Sequence, residues 1–270
     1  IVRLVERIDS EILHASPELK VVAKHGAGTN DIDVAAAAAL NIPVLAAVGT
    51  NAQSVAEHAL ALMLGLAKDL RGQDGFVRSG GWAKKVYAGR ELRGQVLGLI
   101  GLGMIGRALA GMASALGMRV VAYDPYAPAD AFGPNLRRAG TLDALLAEAD
   151  VISLHAPLTA QTRDLIGPRA LGLMKPGALL INTARGELVD EAALLAALRD
   201  GRLGGAGLDT FSPEPPAADN PLWQLPNIIV SPHIGGVTEE ARREVSLTTV
   251  RNVLDLLAGR RPHQRYFVSA

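Results

Sequence analysis

No cysteine occurs among the 270 residues. Disulfides, thiolate nucleophiles and cysteine-ligated zinc are therefore excluded, although a cysteine-free chain folds in either redox compartment. Aromatics are scarce, at 4%, so a core has to be built from aliphatic side chains and alanine. Neither sign of charge dominates: 27 basic residues meet 27 acidic ones. That balance supplies no electrostatic footprint for nucleic acid or for an anionic membrane, and neither partner is expected. Long apolar runs are missing too. The run at 34–40, with its five alanines, is far short of the ~20 residues that a membrane span needs. No signal-peptide pattern is visible, and a cytoplasmic protein is expected. Histidines and carboxylates show no metal-ligand spacing such as H-E-x-x-H, so no metal is expected.

Apolar material is plentiful, with 49% hydrophobic residues against 20% charged. That ratio supports a sizeable core and excludes disorder as the main state. The length allows one large domain or two modest ones. Short apolar runs at 21–23, 42–48, 96–100, 119–123, 151–154, 179–181, 206–208 and 228–230 alternate with helical patterns. The runs are continuously apolar, as strands buried on both faces are. This alternation predicts βαβ units and a parallel sheet. Helices are predicted at 104–116, 142–148 and 191–199, the last with Asp190 as N-cap and Gly201 as its stop.

Two longer helices are predicted over 52–70 and 238–257. The second has Thr238 as N-cap and Glu239 and Glu240 in its first turn. They bracket the middle of the chain. The expected layout is a smaller discontinuous domain, 1–50 with 236–270, and a second domain, 51–235, inserted between its halves. Ile1 to Leu4 reads as the end of a strand already under way, so the smaller domain is expected to lack its N-terminal part.

The run at 96–100 leads into Gly101-Leu102-Gly103-Met104-Ile105-Gly106 and then a helix. This is G-x-G-x-x-G in the strand–turn–helix setting that gives the pattern meaning. Gly101 permits the tight turn, Gly103 lets the backbone approach a pyrophosphate, and Gly106 allows close helix–strand packing. The helix N-terminus offers unpaired N–H groups to the phosphates. A packing turn would show the same glycines, so the next strand matters. It ends at Asp124, eighteen residues past Gly106, where a carboxylate accepts hydrogen bonds from ribose hydroxyls. That carboxylate would repel a 2′-phosphate, and Pro125 and Tyr126 supply no cation. NAD is expected rather than NADP.

In a doubly wound sheet, ligands bind beyond the carboxyl ends of the strands. Four successive predicted strands end in polar groups: at His155, at Asn182 to Arg185, at Asp209 leading to Glu214, and at Ser231 to His233. Three of these residues make a workable set for hydride chemistry at a secondary alcohol. A histidine takes or returns the hydroxyl proton. A neighbouring carboxylate holds the ring and favours its cation. An arginine forks onto a substrate carboxylate. His233, Glu214 and Arg185 fit these roles. Each alone has a plainer reading: a loop histidine after proline, an exposed glutamate between prolines, an arginine paired with Glu187. His155 is a rival base, although its position suits lining the nicotinamide side. His25, before the Gly26-Ala27-Gly28 turn, is a candidate for substrate contact. His58, beside Glu57 in a long helix, is a weaker one, as are His14 and His263.

These motifs, in this order, resemble the D-isomer-specific 2-hydroxyacid dehydrogenases over essentially the whole chain. The matching stretches are KHGAGTNDID at 24–33, SVAEH at 54–58, LIGLGMIG at 99–106, HAPLT at 155–159, NTARG at 182–186, LDTFSPEP at 208–215 and SPHIGG at 231–236. The resemblance implies an α/β fold: a doubly wound parallel sheet, the Rossmann-type NAD domain, inserted in a smaller flavodoxin-like α/β substrate domain. It implies that Arg185 binds the substrate carboxylate and carbonyl, with His233 as acid/base and Glu214 as its partner. The backbone of Ala27 and Gly28, with Asn51, would hold the substrate alongside Arg185 and His233. Beyond the three glycines, Met104, Ile105, Asp124, His155, Pro157, Thr183, Ala184, Arg185, Asp209, His233 and Gly235 would line the NAD site. Family members pair through the nucleotide domain, so a homodimer is expected, with the loop near Trp82 reaching toward its partner.

Two departures bear on the substrate. Asn30-Asp31 stands where the family commonly has Asp-Asn. Phosphoglycerate members carry a second arginine two residues after the Arg3 position, which here is Val5, with Arg7 further on. A phosphoglycerate dehydrogenase is therefore not favoured over a hydroxypyruvate or glyoxylate reductase. The family's opening strand–helix unit is absent, so a longer native protein is expected. Two further readings keep similar residues: an NAD(H)-binding corepressor-like interaction protein and a phosphite dehydrogenase. A formate dehydrogenase would replace the Glu214 carboxylate with an amide.

Overall fold

The computed structural model describes residues 1–3 and 7–268. Leu4, in the expected opening strand, and Val5, at the second-arginine position, lie outside the described residues. The chain divides into two compact units, Ile1–Ser54 with Val237–Ala270, and Val55–Gly236.

The smaller unit begins with α1 (Ser10–His14), β1 (Val22–Lys24), α2 (Val34–Ala39) and β2 (Val44–Ala46). The division then falls inside α3 (Ala52–Ala67), which is followed by α4 (Leu70–Arg78). Next come β3 (Val96–Ile100), α5 (Met104–Ala115), β4 (Arg119–Tyr123), β5 (Leu136–Arg138) and α6 (Leu142–Glu148). The larger unit closes with β6 (Val151–Leu154), α7 (Pro168–Leu173), β7 (Ala178–Asn182), α8 (Glu191–Arg199), β8 (Leu203–Leu208) and β9 (Ile228–Val230). The smaller unit resumes with α9 (Glu239–Leu257) and β10 (Phe267–Val268).

Seven strands of the larger unit form one sheet in the order β5-β4-β3-β6-β7-β8-β9, and every pair is parallel. β3, β6 and β7 are buried at every residue, which is why their sequences do not alternate. Their side chains still alternate between the two faces. Val96 and Ile100 join Leu145 of α6, Leu171 of α7 and Leu194 of α8 in one core cluster. Leu97 and Leu99 join Met63 of α3 and Leu109 of α5 in the other. Helices thus cover both faces of the sheet, in the doubly wound manner. Leu97 and Leu145 are fully buried, and each such side chain contributes about 1.5–3 kcal/mol. Thr141, Asp190 and Thr238 cap α6, α8 and α9 by accepting from Ala144, Ala193 and Ala241 N–H, each cap stabilising by about 1 kcal/mol.

In the smaller unit β1 pairs in parallel with β2, and β10 runs antiparallel on the other side of β2, with Phe267 opposite Leu45. Val2 adds a parallel bridge to Lys24.

Three elements depart from expectation. The helix predicted over 52–70 ends at Ala67, and a helix that was not expected, α4, starts at Leu70 after Asp69, which takes a left-handed backbone (φ 46°). Aspartate tolerates that region because its short polar side chain bonds locally; here Asp69 Oδ2 accepts from Gln73 Nε2 at 2.9 Å. β5 and β10 were not expected, since both are short edge strands and β5 carries two arginines in three residues. Among the described residues, no helix is long and apolar enough to cross a membrane.

Candidate active site

The parallel sheet brings all seven carboxyl ends to one edge. Strand order reverses between β3 and β6, which makes the space beyond their ends the switch point where ligands bind. The glycine loop sits there. Gly101 has φ +96°, and a Cβ on it would lie 2.7 Å from the His155 carbonyl. A Cβ on Gly106 would lie 2.5 Å from Gly101 O, so α5 packs against the loop backbone. A Cβ on Gly103 would meet nothing within 4 Å. The open side of the turn therefore faces outward at the start of α5, whose N-cap Gly103 supplies no side-chain hydrogen bond to the first-turn N–H groups. An anion fits such a helix start.

Two more observations fit a nucleotide cofactor at this edge. Thr183 Oγ1 and His155 Nδ1 are buried polar atoms without a hydrogen-bond partner, a costly state unless a ligand or water completes it. Asp124, at the end of β4, turns its carboxylate back to the loop. Its Oδ2 accepts from Leu102 N–H at 2.8 Å, and its Oδ1 accepts from Tyr126 and Ala127 N–H at 2.9 and 3.1 Å. Pro157 and Ala184 follow the ends of β6 and β7 at the same edge.

His233 lies in the turn after β9. Its Nδ1 is 2.7 Å from Glu214 Oε2, and Glu214 Oε1 accepts from Phe211 N–H at 3.0 Å. The carboxylate is thus braced on one side by the chain and faces the ring on the other. The imidazole is half exposed, and its Nε2 has no partner among the described residues. His233 itself has φ +54°, a left-handed conformation that costs of the order of 1–3 kcal/mol for a non-glycine residue. Such strain persists only where surrounding contacts hold it. Arg185 stands beyond β7, two strands along the sheet from β9. The buried Asn182 side chain shapes its turn, donating to Arg185 O at 2.8 Å and accepting from Ala184 N–H at 3.0 Å. Among the described residues the guanidinium makes one hydrogen bond, to Ala184 O at 2.6 Å, which leaves most of its fork for a ligand.

His155 has a different character. Its Nε2 is 2.9 Å from Ser153 Oγ, and burial pushes its pKa down to about 4. An imidazole in that state is neutral at physiological pH, which argues against His155 as a cationic acid. His58 is a weak candidate by sequence, yet its Nε2 lies 2.8 Å from Ser231 Oγ and 3.5 Å from Asp209 Oδ1. The sequence signal for it was its place in the SVAEH stretch at 54–58.

The expected substrate residues Ala27, Gly28 and Asn51 belong to the smaller unit. There Gly26 O accepts from Ala47 N–H at 2.8 Å, tying the 26–28 turn to β2, and Lys24 pairs with Asp31. His25 Nε2 is 2.9 Å from Ser246 Oγ on α9. Among the described residues, no group of three or more histidines, aspartates or glutamates could hold a metal ion.

Residues 60–235 match the family described as D-isomer specific 2-hydroxyacid dehydrogenase, NAD binding domain. The chain belongs to the D-isomer-specific 2-hydroxyacid dehydrogenases. It is an NAD-binding enzyme of that family, with the cofactor domain in its larger unit. It is 47% identical over 254 residues to a (S)-sulfolactate dehydrogenase of Chromohalobacter salexigens, covering 94% of this chain and 82% of that protein. It is 40% identical over 262 residues to a D-3-phosphoglycerate dehydrogenase of Archaeoglobus fulgidus, covering 96% of this chain but 49% of that one. The dehydrogenase thus spans about half the length of the phosphoglycerate relatives. The crystal structure of the TT0316 protein from Thermus thermophilus superposes with a TM-score of 0.91 at 39% identity, covering 98% of this chain and 84% of that chain.

Proposed function

We propose that this dehydrogenase interconverts small 2-oxo acids and D-2-hydroxy acids, with His233 as acid/base, Glu214 as its carboxylate partner and Arg185 as the substrate-carboxylate ligand. The observation that carries the reading is the 2.7 Å contact between His233 Nδ1 and Glu214 Oε2. It leaves Nε2 as the ring nitrogen that meets substrate. In reduction, bound NADH supplies the hydride to the carbonyl carbon. His233 gives the Nε2 proton to the carbonyl oxygen, and Glu214 stabilises the imidazolium beforehand. Arg185 grips the carboxylate next to the reacting carbon and polarises the carbonyl. Oxidation runs these steps backward and needs neutral imidazole. The NAD contacts fall to the glycine loop, Asp124, His155, Pro157, Thr183, Ala184, Asp209 and Gly235; the family resemblance assigns Ala27, Gly28 and Asn51 to substrate binding.

The substrate class is a short 2-oxo acid: glyoxylate, hydroxypyruvate or 3-phosphohydroxypyruvate, with sulfopyruvate added by the sulfolactate relative. The CH2–sulfonate group outranks carboxylate in the stereochemical priority rules, so an (S)-sulfolactate has the spatial arrangement of a D-2-hydroxy acid. The test is a panel of these four 2-oxo acids and of D- and L-2-hydroxy acids, followed by NADH absorbance. Turnover of at least one 2-oxo acid and of D- but not L-acids is expected. Saturable NADH binding without turnover across the panel would refute the enzyme mechanism and favour an NAD(H)-binding interaction protein. Oxidation of phosphite alone would favour the phosphite dehydrogenase reading.

A homodimer is part of the proposal. α4 has no buried residue, and Leu70, Phe76, Val77 and, beyond it, Trp82 are exposed apolar side chains. Apolar surface gathered this way is typical of an interface. Light scattering should give twice the chain mass, and a monomer at micromolar concentration would refute it.

A further inference from the structure

His58 lies in the middle of α3 and has no part in the chemistry above. Around it is a closed set of hydrogen bonds that reaches the catalytic turn. Asp209 is 1% exposed and holds most of that turn. Ser231 O–H donates to Oδ1 at 2.6 Å, Ile234 N–H to Oδ1 at 2.9 Å, and Gly235 N–H to Oδ2 at 2.7 Å. His233 N–H donates to the Asp209 backbone carbonyl at 2.8 Å. The packing is tight as well: a Cβ on Gly235 would lie 2.9 Å from Asp209 Oδ2 and 3.3 Å from His58 Cδ2.

A count of protons fixes the role of His58. A serine hydroxyl has one proton, and that of Ser231 is committed to Asp209. The 2.8 Å contact between His58 Nε2 and Ser231 Oγ must then be filled by an N–H on His58, with Oγ accepting. We infer that His58 is a positioning residue for the acid/base. By donating from Nε2 it fixes the Ser231 hydroxyl on Asp209 and so locks the 231–235 turn that keeps His233 in its left-handed backbone. The inference rests on His233 being the acid/base, as proposed above.

The arrangement makes physical sense because the two sides differ in rigidity. α3 is anchored in the core through Ala56, Ala59 and Met63, all fully buried. The turn after β9 has no regular structure of its own. A rigid helix thus supplies a fixed donor to a strained loop. Without that donor the Ser231 hydroxyl is held by Asp209 alone, one anchor of the turn is lost, and the left-handed residue relaxes. A small displacement of the acid then slows proton transfer.

The test compares His58→Leu, His58→Asn and His58→Gln in the full chain. The glutamine amide reaches about as far as Nε2 and keeps a donor; leucine has none and the asparagine amide stops short. Hydrogen exchange at the Ile234 and Gly235 amides reads the turn without reference to activity. Turnover is measured with hydroxypyruvate or sulfopyruvate, whichever the wild type reduces faster. In His58→Leu and His58→Asn we expect faster exchange at both amides and a kcat lower by about ten- to hundred-fold. His58→Gln should restore both properties. Wild-type exchange in the folded leucine or asparagine variant overturns the inference, and so does a glutamine variant as impaired as these. His233→Ala is the separate control: high activity in it overturns the acid assignment and, with it, the catalytic half of the inference. The exchange data alone decide whether His58 holds the turn.

Discussion

His155 ties stability to pH in a way that can be worked from the structure. Its pKa falls from 6.5 to about 4 because the ring is buried beyond β6. In the unfolded chain the ring titrates at its ordinary value. As pH falls below 6.5 the unfolded state takes up the proton first, so the folded state loses stability relative to it. The loss runs from about pH 6.5 to about pH 4 with a slope of about 1.4 kcal/mol per unit. Between pH 7 and 5 it amounts to about 2 kcal/mol, and it approaches about 3 kcal/mol below pH 4. His155→Leu removes the titration and leaves the buried Ser153 hydroxyl without its partner, which is a constant penalty. Asp150 also titrates at acid pH: burial raises its carboxyl, but hydrogen bonds from Lys175 and Val96 N–H and the charges of Lys175 and Arg119 outweigh that and hold it below the usual range. Both proteins carry Asp150, so it cancels in the difference. Urea unfolding followed by tryptophan fluorescence suits the measurement, because Trp223 packs edge-on against Phe211 at 5.3 Å in the same unit as His155. The expected result is a wild-type stability that drops relative to the variant by about 2 kcal/mol from pH 7 to 5. Parallel curves over that range would refute the burial argument and return His155 to contention as an acid.

Three other outcomes are expected. Glu214→Gln removes the anion that holds the His233 ring through the 2.7 Å contact but keeps its shape, so kcat for reduction should fall by about ten- to hundred-fold; an unchanged kcat would show that the two groups do not act as a pair. Arg185→Lys replaces a fork with a point charge and should cost about 2–4 kcal/mol of transition-state stabilisation with little change in NADH affinity; near-normal kcat/KM for 2-oxo acids would remove Arg185 from the site. Asp124→Ala should weaken NAD more than NADP, as read from kcat/KM with each cofactor, whereas a wild type that already prefers NADP would contradict the reading of that carboxylate.

Much of the larger unit was legible because its signals are local. Continuously apolar runs mark strands buried on both faces, and the glycine spacing marks a turn whose constraints lie within six residues. Caps such as Asp190 and Thr238 act on N–H groups three residues away, so they too can be read from the chain. The polar residues after β6, β7, β8 and β9 were visible as a list of strand ends, since a parallel sheet must bring those ends together. Edge strands escaped because they carry little apolar pattern, and α4 escaped because its two glycines make it a weak helix by propensity.

Whether two strand-end residues touch depends on register, turn geometry and burial, and these belong to the folded chain alone. Sequence placed His233 and Glu214 in one region, but the 2.7 Å contact exists because the turn after β9 puts His233 in a left-handed backbone. His155 and His233 are equivalent as letters, each a histidine after an apolar strand. Only burial separates them, leaving one neutral and enclosed and the other half exposed beside a carboxylate. His58 shows the same limit most plainly. It is 173 residues from Ser231 in the chain and 2.8 Å from it in space, because α3 packs on the sheet face under the end of β9, and no local pattern encodes that meeting.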